Sequence, residues 1–433
     1  MEMDFKSATE SFDHAYELLI SAVENSRNVF ISAPGGCGKS HMMKQLRKDL
    51  NLDGITNAIV STTGTSAYSI GGRTLHSWSG IKLAEGTAEE LARSMTMKSR
   101  INWRNTSVLM IDEISMLGAT LLDKVSKVGQ IIRKNTLPFG GIVVVASGDF
   151  MQLPPVKDTY AFKDCQTWDD LDFEIITLNT PFRYSDMGWF NRLQRIRFAE
   201  HTTEDVEYLK SRCDALLNMD HIKNGVIPTQ LFATKAQVAD LNQKGLDALP
   251  TEMFTFNSTD DVSLADPGAY KEVPNKMEMD RFLDELAPER FEVKVGTQVM
   301  LTFNIDVEHG LCNGTRGVVA KIDTDNNRII IRGVDNRLFA IEPRTLTVTY
   351  TRNVTLVRKQ YPLILAWAIT IHKSQGATLD SLITDLGSSI FNPSMAYVVL
   401  SRARSGESVF VTSFSERSIY VDKDAKQYVK AIE

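Results

Sequence analysis

The stretch Asn28 to Ser40 (NVFISAPGGCGKS) concentrates groups suited to holding a phosphate chain. Gly35, Gly36 and Gly38 let successive backbone N–H groups turn inward, and a helix starting at the end of the loop adds the positive end of its dipole. Lys39 can reach the outer phosphates of a triphosphate, and the Ser40 hydroxyl can ligate Mg²⁺. The spacing is that of a P-loop with one departure: Ala33 stands where the G-x-x-x-x-G-K-[ST] pattern opens with glycine. Alanine suits that place if its φ is negative. Asp112 and Glu113 follow the apolar run Val108-Leu109-Met110-Ile111. The Asp112 carboxylate can complete the Mg²⁺ shell begun by Ser40, and Glu113 can orient and activate a water. Gln152, in the stretch Ser147 to Pro155, is placed to meet a γ-phosphate or that water. Arg183 and Arg402 lie in the later part of the chain, whereas no arginine stands near the first-half motifs. They are the candidates to neutralise charge in the transition state.

These side chains need a scaffold that brings them to one edge. Val29 to Ile31 reads as a strand, Ala33 to Gly38 cannot continue it, and His41 to Leu50 is helix-forming with Met42, Met43, Leu46 and Leu50 on one face. Phe12, Tyr16, Leu19 and Val23 predict a helix over Ser11 to Glu24. Asn57 to Ser61 is a second strand. It ends in the hydroxyl-rich tip Thr62-Thr63-Gly64-Thr65-Ser66, which can approach a polyanion backbone or simply form a Ser/Thr turn. Lys82 to Arg100 reads as a small helical insertion. Val108 to Ile111 and Ile142 to Ala146 are buried strands, and Glu174 to Leu178 another. Strands alternating with helices, with the chemistry at their C-terminal ends, predict a parallel α/β domain. Helix Gly188 to Phe198 and the β-α unit Leu231 to Leu246 follow. Pro250 to Glu289 is polar without a clear period and reads as an irregular connection. Val293 to Tyr350 breaks into short β-rich pieces separated by turn signals, the pattern of a small antiparallel barrel. Leu365 to Gly376 and Tyr397 to Arg404 resume the α/β pattern.

A chain of 433 residues holds roughly two to four domains. Its net charge of -6 excludes a protein that coats nucleic acid by bulk charge, so any such site is a local groove. Cys37, Cys165, Cys213 and Cys312 lack disulfide or zinc spacing, which fits a reducing, intracellular setting, cytoplasmic for a bacterial or phage chain. No signal segment opens the sequence, and the longest apolar run, Leu363 to Ile371, is too short to span a bilayer.

The stretches Ala33–Ser40, Ser61–Trp78, Val108–Leu117, Pro138–Pro155, Phe182–Arg183, Val293–Val319, Leu365–Leu379 and Ala396–Arg404 together resemble the PIF branch of superfamily-one DNA helicases, relatives of the RecD type. The segment Asp112 to Gly141, ending in Pro-Phe-Gly-Gly, resembles the signature that separates this family from other helicases. The resemblance implies an α/β fold of two RecA-like P-loop domains with ATP and Mg²⁺ in the cleft between them. The first would cover 1–178 with a wedge insertion near 79–100, the second 179–290 and 351–433, with a β-barrel inserted at 291–350. It implies arginine fingers at Arg183 and Arg402, a γ-phosphate glutamine at Gln152, and further nucleotide contacts at Gln375 and Gly376. It places strand-contacting groups at Thr63, Gly64, His76, Thr370, His372 and Lys373. The implied activity is 5′ to 3′ translocation on single-stranded DNA with unwinding at single-strand/duplex junctions, by a monomer or a dimer on DNA, in repair, replication and telomere maintenance. Two positions depart from the family pattern. No glutamine precedes the P-loop in Phe12-Asp13-His14-Ala15-Tyr16 to read adenine, with His14 the candidate substitute, and Tyr184 stands where the family often has glutamine. Two rivals remain at this stage: a P-loop ATPase that remodels proteins, and a nucleotide-dependent binding module.

Overall fold

Short apolar strands with helices between them build two parallel sheets, and the computed structural model shows which strands are neighbours. It describes residues 5–433 except 63–65, 68–69, 82–83, 185, 216–221, 265–267, 269, 271–272, 285, 303–304, 307–308, 310, 312–313 and 351–353. The chain divides into two compact units. One comprises Met1–Glu200, Asn392–Tyr397 and Tyr420–Glu433; the other comprises His201–Phe391 and Val398–Ile419.

The first unit is built on β1 (Val29–Ser32), β2 (Asn57–Ser61), β3 (Arg73–Thr74), β4 (Val108–Asp112), β5 (Val143–Gly148) and β6 (Glu174–Thr177). Their order is β3-β2-β4-β5-β1-β6 and every pairing is parallel. Every residue of β1 and β4 is buried, as expected for parallel strands covered on both faces. Because β4, β5 and β1 are consecutive in the sheet, their C-terminal ends lie side by side. Phe30, Leu109, Ile111, Val144 and Ala146 from the sheet share a core with Leu122, Val125, Val128 and Ile132 of helix Ala119–Arg133. The segment that includes the insertion expected near 79–100 carries helices Leu75–Ser79, Ala88–Ser94 and Met97–Asn105. Its Trp78, Leu91 and Trp103 join that same core, and Trp103 Nε1 donates to the Ser79 carbonyl at 2.9 Å.

This unit runs past 178, the boundary expected from sequence, to Glu200, and the closing helix Lys423–Ile432 returns to it. Helix Met187–Arg197 explains the difference. Its last residue, Arg197, is fully buried and pairs with Asp149 and with Glu433, both at 2.8 Å. Ala425 and Val429 meanwhile enter the sheet core. These are long-range contacts that local composition does not reveal.

The second unit carries the parallel sheet β18-β7-β19-β20, from β7 (Thr229–Phe232), β18 (Ala368–Thr370), β19 (Leu382–Leu386) and β20 (Val409–Phe414). Between β7 and β18 lie β8 (Phe254–Asn257), β9 (Thr259–Leu264), β10 (Arg290–Val293), β11 (Gln298–Leu301), β12 (Arg316–Asp323), β13 (Arg328–Gly333), β14 (Leu338–Ile341), β15 (Arg344–Thr349), β16 (Val354–Gln360) and β17 (Leu363–Leu365). They form a five-stranded antiparallel sheet β14-β13-β12-β11-β17, a three-stranded sheet β15-β16-β9 and the pair β10-β8. The β-rich insertion therefore extends on both sides of 291–350.

The reading of Pro250 to Glu289 as an irregular connection is corrected: it holds β8, β9 and helix Lys276–Leu283. The polar residues that hid the pattern have a partner. Arg358 on β16 is fully buried, its Nη2 lies 2.7 Å from Asp260 on β9, and Asp284 binds its Nη1. The aspartates neutralise an arginine that only the folded sheet brings to them.

Candidate functional site

At the end of β1 the chain turns sharply. Gly36 and Gly38 take φ values of 89° and 93°, a region open to glycine and strained for other residues. Space is restricted as well, since a Cβ at Gly36 would sit 2.8 Å from Arg183 Cβ, and one at Gly38 would meet Phe12 and Phe182. Ala33 does not take a positive φ, which accounts for alanine at the opening position. Helix Lys39–Leu52 starts at the end of this loop, so its N-terminal dipole points into the cradle. Lys39 Nζ donates to the Ala33 and Pro34 carbonyls at 2.6 and 3.1 Å, which holds the ammonium over the loop. Burial pushes the Cys37 thiol up to about 12, so it stays protonated and acts as a small apolar filler.

Asp112 closes β4 and is almost fully buried. Ser40 Oγ donates to its Oδ2 at 2.8 Å; Ser147 Oγ and the Glu113 N–H donate to its Oδ1 at 2.6 and 3.0 Å. A hydroxyl and a carboxylate in direct contact beside a phosphate cradle form a hard-oxygen set that fits Mg²⁺. Among the described residues no three of His, Cys, Asp and Glu gather into a metal-holding group, so phosphate and water oxygens would have to complete the shell. Glu113 takes the left-handed conformation, φ 56° and ψ 43°, and its carbonyl accepts from Thr62 Oγ1 at 3.2 Å. Such a backbone costs of order 1–3 kcal/mol and concentrates at functional positions. Gln152 is buried, and its Nε2 donates to Asp149 Oδ2 at 3.4 Å.

Arg183 belongs to the first unit, not to a second half as expected. The reason lies in the sheet order. β6 pairs in parallel with β1, so the chain leaving β6 emerges at the edge where the glycine loop begins. The Phe182 and Arg183 N–H groups donate to the Gly36 carbonyl at 2.9 and 3.2 Å, and the Tyr184 hydroxyl donates to the Gly35 carbonyl at 3.1 Å. Sequence reasoning passed over four residues that shape this site. Ser147 and Asp149 sit in the quoted stretch around Gln152 and had a local signal; Tyr184 was noted only as a departure. Tyr397, which accepts from the Gly35 N–H at 3.0 Å, had no such signal, being 362 positions away.

The strand-contacting candidates divide between the units, and Thr63 and Gly64 lie outside the described residues. In the first unit, His76 sits half-buried on helix Leu75–Ser79, and burial lowers its pKa, so it is neutral at pH 7. In the second unit, the Thr370 hydroxyl oxygen caps helix Ile371–Ser374 by accepting from the Lys373 N–H at 3.1 Å. His372 is exposed, and partial desolvation still lowers its pKa. Gln375 is buried, while Gly376 takes φ 80° with open space where a Cβ would lie, so backbone conformation demands the glycine. Arg402 is buried; its Nε donates to the Val398 carbonyl at 2.8 Å and its Nη1 to the Ser374 carbonyl at 3.4 Å. Thr370, His372, Lys373, Gln375 and Arg402 thus gather around one turn. Among the described residues no helix is long and apolar enough to cross a membrane.

Residues 8–197 match the family described as PIF1-like helicase, and residues 283–322 match the DNA helicase Pif1, 2B domain. The ATP-dependent DNA helicase Pif1 of Bdellovibrio bacteriovorus is 32% identical over 422 residues, covering 96% of this chain and 90% of that protein. The ATP-dependent DNA helicase PIF1 of Danio rerio is 32% identical over 421 residues, covering 96% of this chain and 63% of that protein. The chain thus spans about three fifths of the length of the vertebrate relatives it matches. Among solved structures it is similar to the Pif1 helicase of Candida albicans, with a TM-score of 0.81 and 30% identity over 97% of this chain and 99% of that one. It is also similar to the Pif1 helicase of Bacteroides in complex with ADP-AlF3 and ssDNA, with a TM-score of 0.69 and 25% identity over 96% of each chain.

Proposed function

We propose the activity from membership: the chain belongs to the PIF1-like helicase family, and we read it as an ATP-dependent DNA helicase that moves 5′ to 3′ on single-stranded DNA and opens duplexes at junctions. The observation that carries this reading is the Ser40–Asp112–Ser147 arrangement beside the glycine loop, with Glu113 next in sequence. It is a hydrolytic site, since a module that only bound nucleotide would have no use for the glutamate.

In this reading the loop amides and Lys39 hold the phosphates, exchanging the Ala33 and Pro34 carbonyls for phosphate oxygens. Ser40 and Asp112 would hold Mg²⁺, which when bound neutralises charge on the outer phosphates. Ser147 keeps the Asp112 carboxylate aimed. Glu113 accepts the proton of the attacking water and Gln152 orients that water against the γ-phosphate. Arg183 and Arg402 oppose the charge that develops on the transferred phosphoryl group, and Gln375 and Gly376 add nucleotide contacts. Thr63, Gly64, His76, Thr370, His372 and Lys373 contact phosphate and sugar of the strand, which leaves binding independent of sequence. The Bacteroides relative was crystallised with ADP-AlF3 and ssDNA, and another structural relative concerns two Pif1 helicases coordinating at forked dsDNA. We propose the same ligand classes here, with a monomer as the working unit and pairing on forks.

The test is the ATPase rate with and without oligo-dT. Strong stimulation is expected. Turnover that ignores DNA points instead to a protein-remodelling ATPase, and binding without turnover to a nucleotide-dependent module.

A further inference from the structure

The backbone of Gly35 is held on both sides, at its N–H and at its C=O, by phenols from distant parts of the chain. The Ala33 N–H donates to the Gly148 carbonyl at 3.3 Å and Pro34 has no N–H, so Gly35 carries the next donor of the loop, and that buried N–H donates to Tyr397 Oη at 3.0 Å. The Gly35 carbonyl accepts from Tyr184 Oη at 3.1 Å. Tyr397 Oη also lies 3.3 Å from Asp149 Oδ2. A carboxylate can only accept, so the Tyr397 proton goes to Asp149 and its lone pair faces Gly35. Asp149 is fixed in turn by Arg197 at 2.8 Å; both side chains are buried, and Arg197 is braced by Glu433. Full burial and the Asp149 charge raise the Tyr397 pKa well above its ordinary value, so the phenol keeps the proton this arrangement needs.

We propose that Tyr397 and Tyr184 are positioning residues that clamp Gly35 and thereby set the glycine loop in its phosphate-binding shape. The inference rests on reading that loop as the ATP site. With Gly35 pinned, and Gly36 O held by the Phe182 and Arg183 amides, the outer side of the loop is fixed and the amides from Gly36 to Ser40 are presented as a preformed set. The clamp also ties two sequence regions to the nucleotide. Tyr184 follows Arg183 directly, and Tyr397 lies in the Ala396–Arg404 stretch that carries Arg402, at the point where the chain passes from the first unit to the second.

Tyr397→Phe and Tyr184→Phe remove one hydroxyl each and keep the ring. Fluorescent ADP titrated in the absence of DNA is expected to bind about three- to tenfold more weakly to either variant, the worth of one buried neutral hydrogen bond. The same factor is expected in KM for ATP, with kcat changed less than about twofold, because a phosphate cradle acts on ground state and transition state alike. Oligo-dT affinity without nucleotide should not move. If Tyr397→Phe fails to fold, the ADP affinity of Tyr184→Phe decides the matter. Wild-type ADP affinity and KM in a folded variant overturn the clamp and leave the helicase reading intact. Conversely, a wild-type protein that binds ADP but is never stimulated by DNA overturns the helicase reading. Weakened ADP binding in the variants would still uphold the clamp. A wild-type protein that binds no ADP overturns both.

Discussion

In the first unit the strand ends carry their reactive groups out of solvent: Lys39, Asp112, Glu113 and Gln152 are 7%, 1%, 8% and 2% exposed. In the second unit the end of β18 carries Thr370, and the single-turn helix it caps carries His372 and Lys373, with His372 exposed. The two regions share a parallel sheet and a strand-to-helix turn, yet their surroundings differ. A buried site makes each charge and dipole count for more, because little water is left to screen it, and hydrolysis depends on such fixed groups. A polymer that must slide needs the opposite: reachable groups, modest individual energies and no sequence preference.

Removing groups from the buried region should have the largest effect. Lys39→Ala and Glu113→Gln are both expected to abolish hydrolysis, but by different routes. In the proposed roles Lys39 holds phosphate, so its loss should weaken ATP affinity, whereas Glu113 acts on water, so Glu113→Gln should keep ATP bound. Nucleotide titration beside a phosphate-release assay checks this, and equal loss of affinity in both variants would refute the roles. Next come the arginines. Arg183→Ala and Arg402→Ala are each expected to lower kcat by roughly 10³-fold while oligo-dT affinity barely changes. Arg402→Ala should also lower the melting temperature, since its buried guanidinium serves the Val398 and Ser374 carbonyls and their loss of partners costs about 1–3 kcal/mol. A near-normal kcat in either variant makes that arginine structural.

Much of the buried site was legible because parallel strands write themselves as apolar runs, and a chemical side chain just beyond such a run has one place to go. Asp112 after Val108–Ile111 is the clearest case, and in the fold the Ser40 hydroxyl donates to its carboxylate. What stayed hidden was carried by contacts without a local period. Arg197 looks like any helix-terminal cation until Asp149 and Glu433 meet it, and Tyr397 looks like an apolar helix residue until Gly35 donates to it. Arg183 was assigned to the wrong unit for the same reason: it follows the domain boundary expected at 178, whereas the parallel pairing of β6 with β1 returns the chain to the P-loop. The strand β9, reading TDDVSL, failed differently, because Asp260, which pairs with the buried Arg358, stands at an inward position and obscures the alternation.

The strand-contacting candidates of both units predict smaller effects that salt and pH can read. With a net charge of -6 and both candidate histidines held neutral, strand affinity should fall with salt along a slope corresponding to only a few phosphates. Both histidine pKa values are lowered, so protonation lags below the ordinary 6.5. The slope should therefore be the same at pH 8 and pH 7; a histidine gaining charge on the strand would add roughly 0.7 to it. The same shifts mean that the unfolded chain binds these protons first, so their contribution to stability is complete above about pH 6.5 and declines as pH falls below it. A slope implying about ten phosphates would break the contrast between the two regions.

The smallest effect concerns the nucleotide base, where the first unit stops being a dry polar site. Discriminating ATP from GTP needs a group that pairs with the adenine edge, because a site built around a polar edge rejects the analogue that leaves it unpaired. No glutamine precedes the loop, His14 is exposed, and the Tyr184 hydroxyl is committed to the Gly35 carbonyl. What borders Gly38 is aromatic: Phe12, buried, and Phe182, 45% exposed, meet edge to face with ring centroids 5.6 Å apart. An open aromatic ring offers stacking, which any purine satisfies. GTP is therefore expected to support DNA-stimulated hydrolysis within about tenfold of ATP, a difference of roughly 1.4 kcal/mol or less in kcat/KM. Phe182→Ala should raise KM for both nucleotides by the same factor, because the lost contact does not read the base. If ATP is preferred more than a hundredfold, or if Phe182→Ala changes the ATP/GTP ratio, the first unit contains an adenine-reading group, and its polar precision extends from the phosphates to the base.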